Sequence, residues 1–325
     1  MTAAAPARIA IIGAGAMANR VHYPSLSEHP DAELVAACDL DQKRLHGTAD
    51  RYGIEQRFTN YRQMVDEVRP DAVYAIGQPE FMYGIWCDLL ARGIDLFIEK
   101  PLGLTLHQAI NLNYLAEANG CITQVGFQRR AAPLLTHAQQ ALSDRGPVTH
   151  AIVTFYKCQP EPMLLARDHM MDDGVHAIDT LRSICGGSVV DLHSVTRRVG
   201  TPDINFFSAQ LVFDTGATGL LINSWTSGRR SFDVQLHVPG GCAELDLEGE
   251  GHMYLDGDTG GVTTTAQQAA GSDDFHVYAG FAQKTAEFVE AVRTRKQPPS
   301  NFGDALETMR IAEQILHHSH VITEA

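Results

Sequence analysis

Residues 9–18 read Ile-Ala-Ile-Ile-Gly-Ala-Gly-Ala-Met-Ala, an apolar strand that runs into GxGxxA and then into a helical stretch lasting to about Leu26. The order strand, Gly-rich turn, helix leaves a chain few options. Gly13 permits the tight turn, Gly15 lets the backbone approach a pyrophosphate, and the small Ala18 lets the helix close on the strand, so that phosphates sit at the helix N-terminus beside Ala16 and Met17. The second strand of the pattern ends at Asp39, where a carboxylate can accept from both hydroxyls of an adenosine ribose. That carboxylate would repel a 2′-phosphate, and Leu40 and Asp41 bring no offsetting cation. The expected cofactor is therefore NAD, with NADP second.

The texture of the chain agrees with such a start. Arg8 to Ile12, Leu34 to Cys38, Ala72 to Ile76, Leu96 to Ile98 and Ile122 to Val125 are short Ile/Val/Leu-rich runs. Between them Gln42 to Tyr52, Tyr61 to Val68, Met82 to Arg92 and Leu106 to Asn119 have helical spacing, the alternation of βαβ units. After Pro133 the runs lengthen and alternate: Val148 to Cys158, Val189 to Val199, Asn205 to Phe213, Thr218 to Trp225 and Phe232 to Val238. That is antiparallel-sheet sequence, with a hairpin expected across Phe213 to Ala217. Gly257 to Ser272 reads as a mobile loop, and Phe281 to Arg293 and Asp304 to His317 as closing helices. The expected organisation is α/β: a doubly wound parallel sheet over residues 1–128, then a second α/β domain over 129–325 with an open, mostly antiparallel sheet.

Charge narrows the partners. The net charge is −14, of which residues 1–130 carry −3 and the rest −11, a surface that repels nucleic-acid phosphates and acidic lipid headgroups. A neutral small molecule suits it better than a multiply phosphorylated one. The six cysteines are widely spaced with no CxxC pair, which reads as reduced thiols and a cytoplasmic protein. The apolar run from Ile9 ending in Ala-Met-Ala imitates a signal peptide, but the Gly-rich turn explains it better.

Two further segments carry chemistry. Phe97-Ile98-Glu99-Lys100-Pro101 puts a charged pair at the carboxyl end of a buried strand, where open parallel sheets bind ligands. A partly desolvated Lys100 would be a useful proton donor or acceptor, although a surface ion pair would look the same in sequence. Asp172, His176 and Asp179 fall on one face of a regular helix, and a carboxylate beside an imidazole makes it a better base. Asp168, His169, Asp172 and His176 also admit a metal reading, without a Cys or Glu to complete a set; His317, His318 and His320 admit one too, against solvent-facing histidines favoured by a helix C-terminus. No metal is expected.

Ala-Ile-Ile-Gly-Ala-Gly at 10–15, Cys38-Asp39, Glu99-Lys100-Pro101, Gln124-Val125-Gly126-Phe127 and Asp172-Asp173-Gly174-Val175-His176-Ala177-Ile178-Asp179 together resemble the Gfo/Idh/MocA family, the glucose-fructose oxidoreductase and inositol dehydrogenase group. The resemblance runs over nearly the whole chain. It implies a sugar or polyol oxidoreductase with Lys100, Asp172 and His176 as the catalytic group. It also implies cofactor contacts from Gly13, Gly15, Ala16, Met17, Asp39, Gln78, Pro79, Glu99 and Gln128, and substrate contacts from Tyr83, Arg130, Lys157 and Asp179. Other classes in reach of the same resemblance are a glycoside-cleaving enzyme that retains NAD and oxidises transiently, and a dinucleotide-binding sensor. Many members carry Thr-Pro-Asn and then His after the fourth strand, where this chain has Gln78-Pro79-Glu80-Phe81-Met82-Tyr83, so the substrate of a particular member does not transfer. Tyr83 can equally be a packed aromatic. Met163, Met170 and Met171 beside Arg167 read either as an adaptable pocket wall or as a loop with core contacts. The open sheet implies a homodimer or homotetramer.

Overall fold

A computed structural model describes residues 5–159, 161 and 168–317, and the backbone of 320–323; Met163, Arg167 and His318 lie outside the described residues. The chain forms two compact units, one of residues 1–126 with 281–306 and one of residues 127–280 with 307–325.

In the first unit six parallel strands, β1 (Ala7–Ile12), β2 (Ala32–Cys38), β3 (Gln56–Phe58), β4 (Ala72–Ala75), β5 (Asp95–Ile98) and β6 (Thr123–Val125), lie in the order β3-β2-β1-β4-β5-β6. β4 and β5 are buried at every residue, which is why they read as unbroken apolar runs. The order reverses between β1 and β4, and the crevice beyond the carboxyl ends at such a reversal is where ligands bind. The helices stop and start where capping chemistry dictates. Asp41 accepts from the Lys43 and Arg44 amides at the head of Gln42–Tyr52, and Asn60 caps Tyr61–Val68 in the same way. Strand β3 is the one element of this sheet that the sequence pattern does not announce, because Gln-Arg-Phe at an edge is too short and polar to stand out.

The boundary expected at 128 needs a second crossing, since residues 281–306 return to the first unit. The cause is the apolar face of helix Phe281–Thr294. Phe288, Val289, Ala291 and Val292 join Ile9, Ile11, Tyr74 and Phe97 in one core. The Tyr74 and Phe97 rings stack at 4.2 Å, and Phe288 meets both edge-on at 5.5 and 5.7 Å, a favoured aromatic arrangement.

Among the described residues of the second unit nine strands, β7 (His150–Cys158), β8 (Val189–Arg198), β9 (Phe206–Phe213), β10 (Thr218–Ser224), β11 (Thr226–Val238), β12 (Gly241–Asp246), β13 (Glu250–Leu255), β14 (Val262–Thr265) and β15 (His320–Thr323), make a sheet of order β14-β13-β12-β11-β7-β10-β9-β8-β15. Among the described residues only β7 with β10 and β8 with β15 run parallel. The expected β9–β10 hairpin is present, closed by the Phe213 amide on the Ala217 carbonyl. Helix Val175–Cys185 covers one face, where Leu181 fits over Gly219. On the other face Ile152, Leu192, Leu220 and Ile222 line a shallow groove, and Leu220 is exposed.

The stretch 257–272 is a correction: it holds β14 and helix Ala266–Ala270 in place of a continuous mobile loop. Thr265 and Gln268 form a reciprocal capping box there, so local hydrogen bonds order a segment whose composition looked flexible. Among the described residues no helix is long and apolar enough to cross a membrane.

The returning helix generates a stability prediction. Phe288→Ala removes a fully buried ring from the aromatic cluster and should cost about 3–5 kcal/mol. Denaturant unfolding followed by circular dichroism measures it; a loss below about 1 kcal/mol would mean that this helix does not complete the core.

Candidate active site

In the first unit the site grows from the turn after β1. Gly13 has φ +108°, and a Cβ there would stand 2.0 Å from the Ile76 carbonyl oxygen at the end of β4, so both conformation and packing exclude any other residue. Gly15 is different. Its φ is ordinary and, among the described residues, a Cβ would meet no atom within 4 Å, so neither packing nor strain there calls for glycine. Space left open over a helix N-terminus fits the close approach of a pyrophosphate. The helix starts at Ala16, with Ala16 and Met17 exposed, and its first-turn amides have no carbonyl one turn earlier. Asn19, which sequence reasoning passed over, holds this turn: its Nδ2 donates to the Ala14 and Gly15 carbonyls at 2.8 and 3.1 Å and to Thr48. A polar residue inside a helix carries no pattern that would have singled it out.

Asp39 is tied to the same turn. Its Oδ2 accepts from the Ala14 amide at 2.7 Å and its Oδ1 from the Asp41 amide at 2.8 Å. The carboxylate expected to bind ribose thus also braces the Gly-rich turn expected to take the pyrophosphate. Arg44 lies against Asp41 at 3.1 Å, and Leu40 is 88% exposed.

Beyond β4, Gln78 is exposed and stands before Pro79, the first residue of helix Pro79–Ala91. Glu80 follows in the first turn, where its Oε2 is buried without a hydrogen-bond partner. Tyr83 is half-buried and accepts from Asn111 Nδ2 at 2.9 Å; burial pushes its phenol pKa up. Beyond β5, Lys100 is half-exposed. Glu99 is buried, with Oε1 2.8 Å from His22 Nε2 and Oε2 accepting from the Lys100 amide at 3.3 Å. Glu99, assigned to the cofactor by resemblance, therefore has two contacts inside the protein.

The second unit presents the acid–imidazole segment. Met170–Gly174 is a π turn that runs into helix Val175–Cys185, so the regular four-residue step from Asp172 to His176 does not apply. The wider turn inserts a residue and rotates the helix beyond it. Asp172 is half-buried; His176 is buried, with its ring 6.0 Å from that of Phe127. The residues expected to meet substrate have partners of their own. Arg130 Nε lies 2.9 Å from Asp179 Oδ2, both side chains buried, and Lys157 pairs with Asp173. Gln128 is buried, with its Oε1 unpartnered. Met170 and Met171 are fully buried, which puts both in the core. His169 stacks on Trp225 at 4.9 Å, and burial pushes its pKa down. His317 pairs with Glu313 at 3.0 Å. No group of three or more His, Cys, Asp or Glu among the described residues could hold a metal ion.

A charged cluster that the sequence did not reveal stands in the same unit. Arg129 is buried with its guanidinium 4.0 Å over the Phe232 ring, and it shares Glu248 with Arg230. Residues 119 and 18 positions apart meet here, a juxtaposition that no local pattern encodes.

Comparison with known proteins bears on both units. Residues 7–127 match the model of an oxidoreductase family with an NAD-binding Rossmann fold, and residues 146–245 match the GFO/IDH/MocA C-terminal domain. The chain is 24% identical over 308 residues to the scyllo-inositol 2-dehydrogenase (NAD(+)) of Bacillus subtilis, covering 90% of this chain and 87% of that one. It is 23% identical over 319 residues to the myo-inositol 2-dehydrogenase of Thermotoga maritima, covering 91% of each. A dehydrogenase structure from Chromobacterium violaceum superposes with a TM-score of 0.88 at 21% identity, over 97% of this chain and 96% of that one.

The Arg129–Glu248–Arg230 cluster predicts an acid transition. Burial opposes ionisation of Glu248, but the Arg230 hydrogen bond and the two guanidinium charges outweigh it and bring its pKa from 4.5 down to about 2. A carboxylate whose pKa is lower when folded contributes stability that is complete above its unfolded value and is lost as pH falls from there through the folded value. Glu248→Gln should therefore destabilise the protein at pH 7, by at most about 3 kcal/mol, and should lose less further stability than the unmodified protein between pH 4.5 and 2. Parallel acid-unfolding curves would refute this assignment.

Proposed function

The chain belongs to the Gfo/Idh/MocA oxidoreductases, and we propose that it transfers a hydride between a carbinol carbon of a sugar or cyclic polyol and NAD, with Lys100 and His176 handling the hydroxyl proton. The observation that carries this reading is the edge of the parallel sheet. The open space over Gly15, the Asp39 carboxylate and Lys100 all stand at carboxyl ends of its strands, and the helix amides there suit a pyrophosphate.

NAD bound at this edge supplies the two-electron acceptor or donor. The residues supply the rest. The Ala16 and Met17 amides would hold phosphate, the Asp39 carboxylate would accept from the ribose hydroxyls, and the exposed Leu40 would offer apolar surface to the adenine. The Asp39 carboxylate, which would repel a 2′-phosphate, supports NAD over NADP at this corner. Gln78 and Pro79 would flank the nicotinamide end. In the oxidising direction the substrate O–H bond breaks as its carbon gives up hydride. The proton passes to a neutral His176 or a neutral Lys100; in the reverse direction the same group returns it. Asp172 orients the imidazole. Tyr83 and the partly exposed Lys157–Asp173 pair would face substrate, and the buried Arg130–Asp179 pair would support them from behind. The names of the inositol-oxidising relatives support a polyol. The apolar face around Leu220 and Ile222 supports a homo-oligomer.

The test is a screen of sugars and inositols with NAD and, separately, NADP, read as absorbance of reduced nicotinamide. We expect turnover with at least one polyol and a higher kcat/KM with NAD. On that substrate Lys100→Ala and His176→Ala should each lower kcat by about a hundred- to ten-thousand-fold while leaving NAD binding within a few-fold. Folded variants with unchanged kcat would remove these residues from the reaction, and a preference for NADP would overturn the reading of Asp39.

A further inference from the structure

The helix that begins at the phosphate turn does not run regularly. Its segment Ala18–His22 is a π turn, with the Tyr23 amide bonded to the Ala18 carbonyl five residues back. Insertions of this kind cluster at functional sites because they re-aim a side chain. Here the residue that ends the turn is His22, 1% exposed, with its ring edge-on to Tyr74, Phe97 and Phe281 at 5.8, 5.3 and 6.1 Å. In that apolar setting its Nε2 meets Glu99 Oε1 at 2.8 Å. A Cβ on Gly126 would stand 2.9 Å from the same oxygen, so the carboxylate is confined from behind. The other carboxylate oxygen accepts from the Lys100 amide.

We propose that His22 is a positioning residue for Lys100, acting through Glu99. The chain of contacts is short: phosphate turn, π turn, His22, Glu99, backbone of Lys100. It places the helix that would receive the pyrophosphate and the lysine that would handle the proton in one rigid frame. The imidazole and carboxylate do no chemistry on substrate; they fix where the Lys100 backbone leaves β5. Placement at this scale matters because a reacting group misplaced by about 1 Å can lose a hundredfold in rate. The inference rests on the role proposed for Lys100, and the experiment separates the two.

The experiment compares His22→Leu, His22→Gln, Lys100→Ala and the double variant His22→Leu/Lys100→Ala on the full chain. His22→Leu should lower kcat by about ten- to a hundredfold, with the NAD dissociation constant within about threefold by calorimetry. His22→Gln, which keeps a side-chain donor for Glu99, should recover most of the loss. In the Lys100→Ala background the His22 substitution should add almost nothing, the signature of two residues acting as a unit. Hydrogen exchange at the Lys100 amide, which needs no substrate, should be faster in His22→Leu than in the unmodified protein. Should His22→Leu not fold, His22→Asn, whose shorter amide falls short of Glu99, takes its place in the cycle. A folded variant with normal kcat and normal exchange overturns the inference, as does an equal loss in the Lys100→Ala background, which would mark His22 as merely structural. If Lys100→Ala itself keeps full activity, the role proposed for Lys100 fails first and the inference falls with it.

Discussion

The approach of the Gly13 backbone to the Ile76 carbonyl, so close that a Cβ would overlap it, is the constraint on which the rest of the first unit depends. It lets the chain turn out of β1 directly beside the end of β4, at the point where the strand order reverses. The other first-unit residues expected at the cofactor, Asp39, Gln78, Pro79 and Glu99, follow strands of the same sheet, because parallel strands all end on one side. Asp39 and Asn19 then hold the turn from two sides, one by its carboxylate on the Ala14 amide and the other by its amide on the Ala14 and Gly15 carbonyls. Hydrogen bonds within the protein therefore hold this turn from both sides.

The same edge is reinforced from within the core. Tyr74 on β4 and Phe97 on β5 stack beneath His22, and the returning helix adds Phe281 and Phe288 to the cluster. The residues that close the core therefore come from opposite ends of the chain, and the unit is complete only once residues 281–306 have docked. Glu99, buried next to an imidazole at the bottom of this cluster, connects core packing to the segment that carries Lys100.

How far the sequence could be read depends on which interactions are local. The Gly-rich turn, the buried strands, the capped helices Gln42–Tyr52 and Tyr61–Val68 and the β9–β10 hairpin are decided by residues within a turn or a strand of one another, and the sequence announces them. The edge strand β3 and the capped segment around Thr265 were missed because short polar elements take their order from one or two hydrogen bonds rather than from periodicity. Candidate residues such as Lys100, Asp172 and His176 were visible as types at suggestive spacings. What each pairs with was not. Glu99 with His22, Arg130 with Asp179 and Arg129 with Glu248 join positions separated by 77, 49 and 119 residues, and such pairs exist only once the topology has formed. The π turns at Ala18–His22 and Met170–Gly174 were equally hidden, because a helix that inserts one residue looks the same in sequence as one that does not.

The central claim is that a carbinol hydrogen leaves the substrate as hydride and ends on the nicotinamide. The most direct measurement uses a polyol substrate deuterated at the carbon to be oxidised and traces the label by NMR in the released reduced cofactor. The account requires one deuterium on the nicotinamide ring for each carbonyl formed, with none lost to solvent. Deuterium appearing in water, or carbonyl product without labelled cofactor, would contradict it.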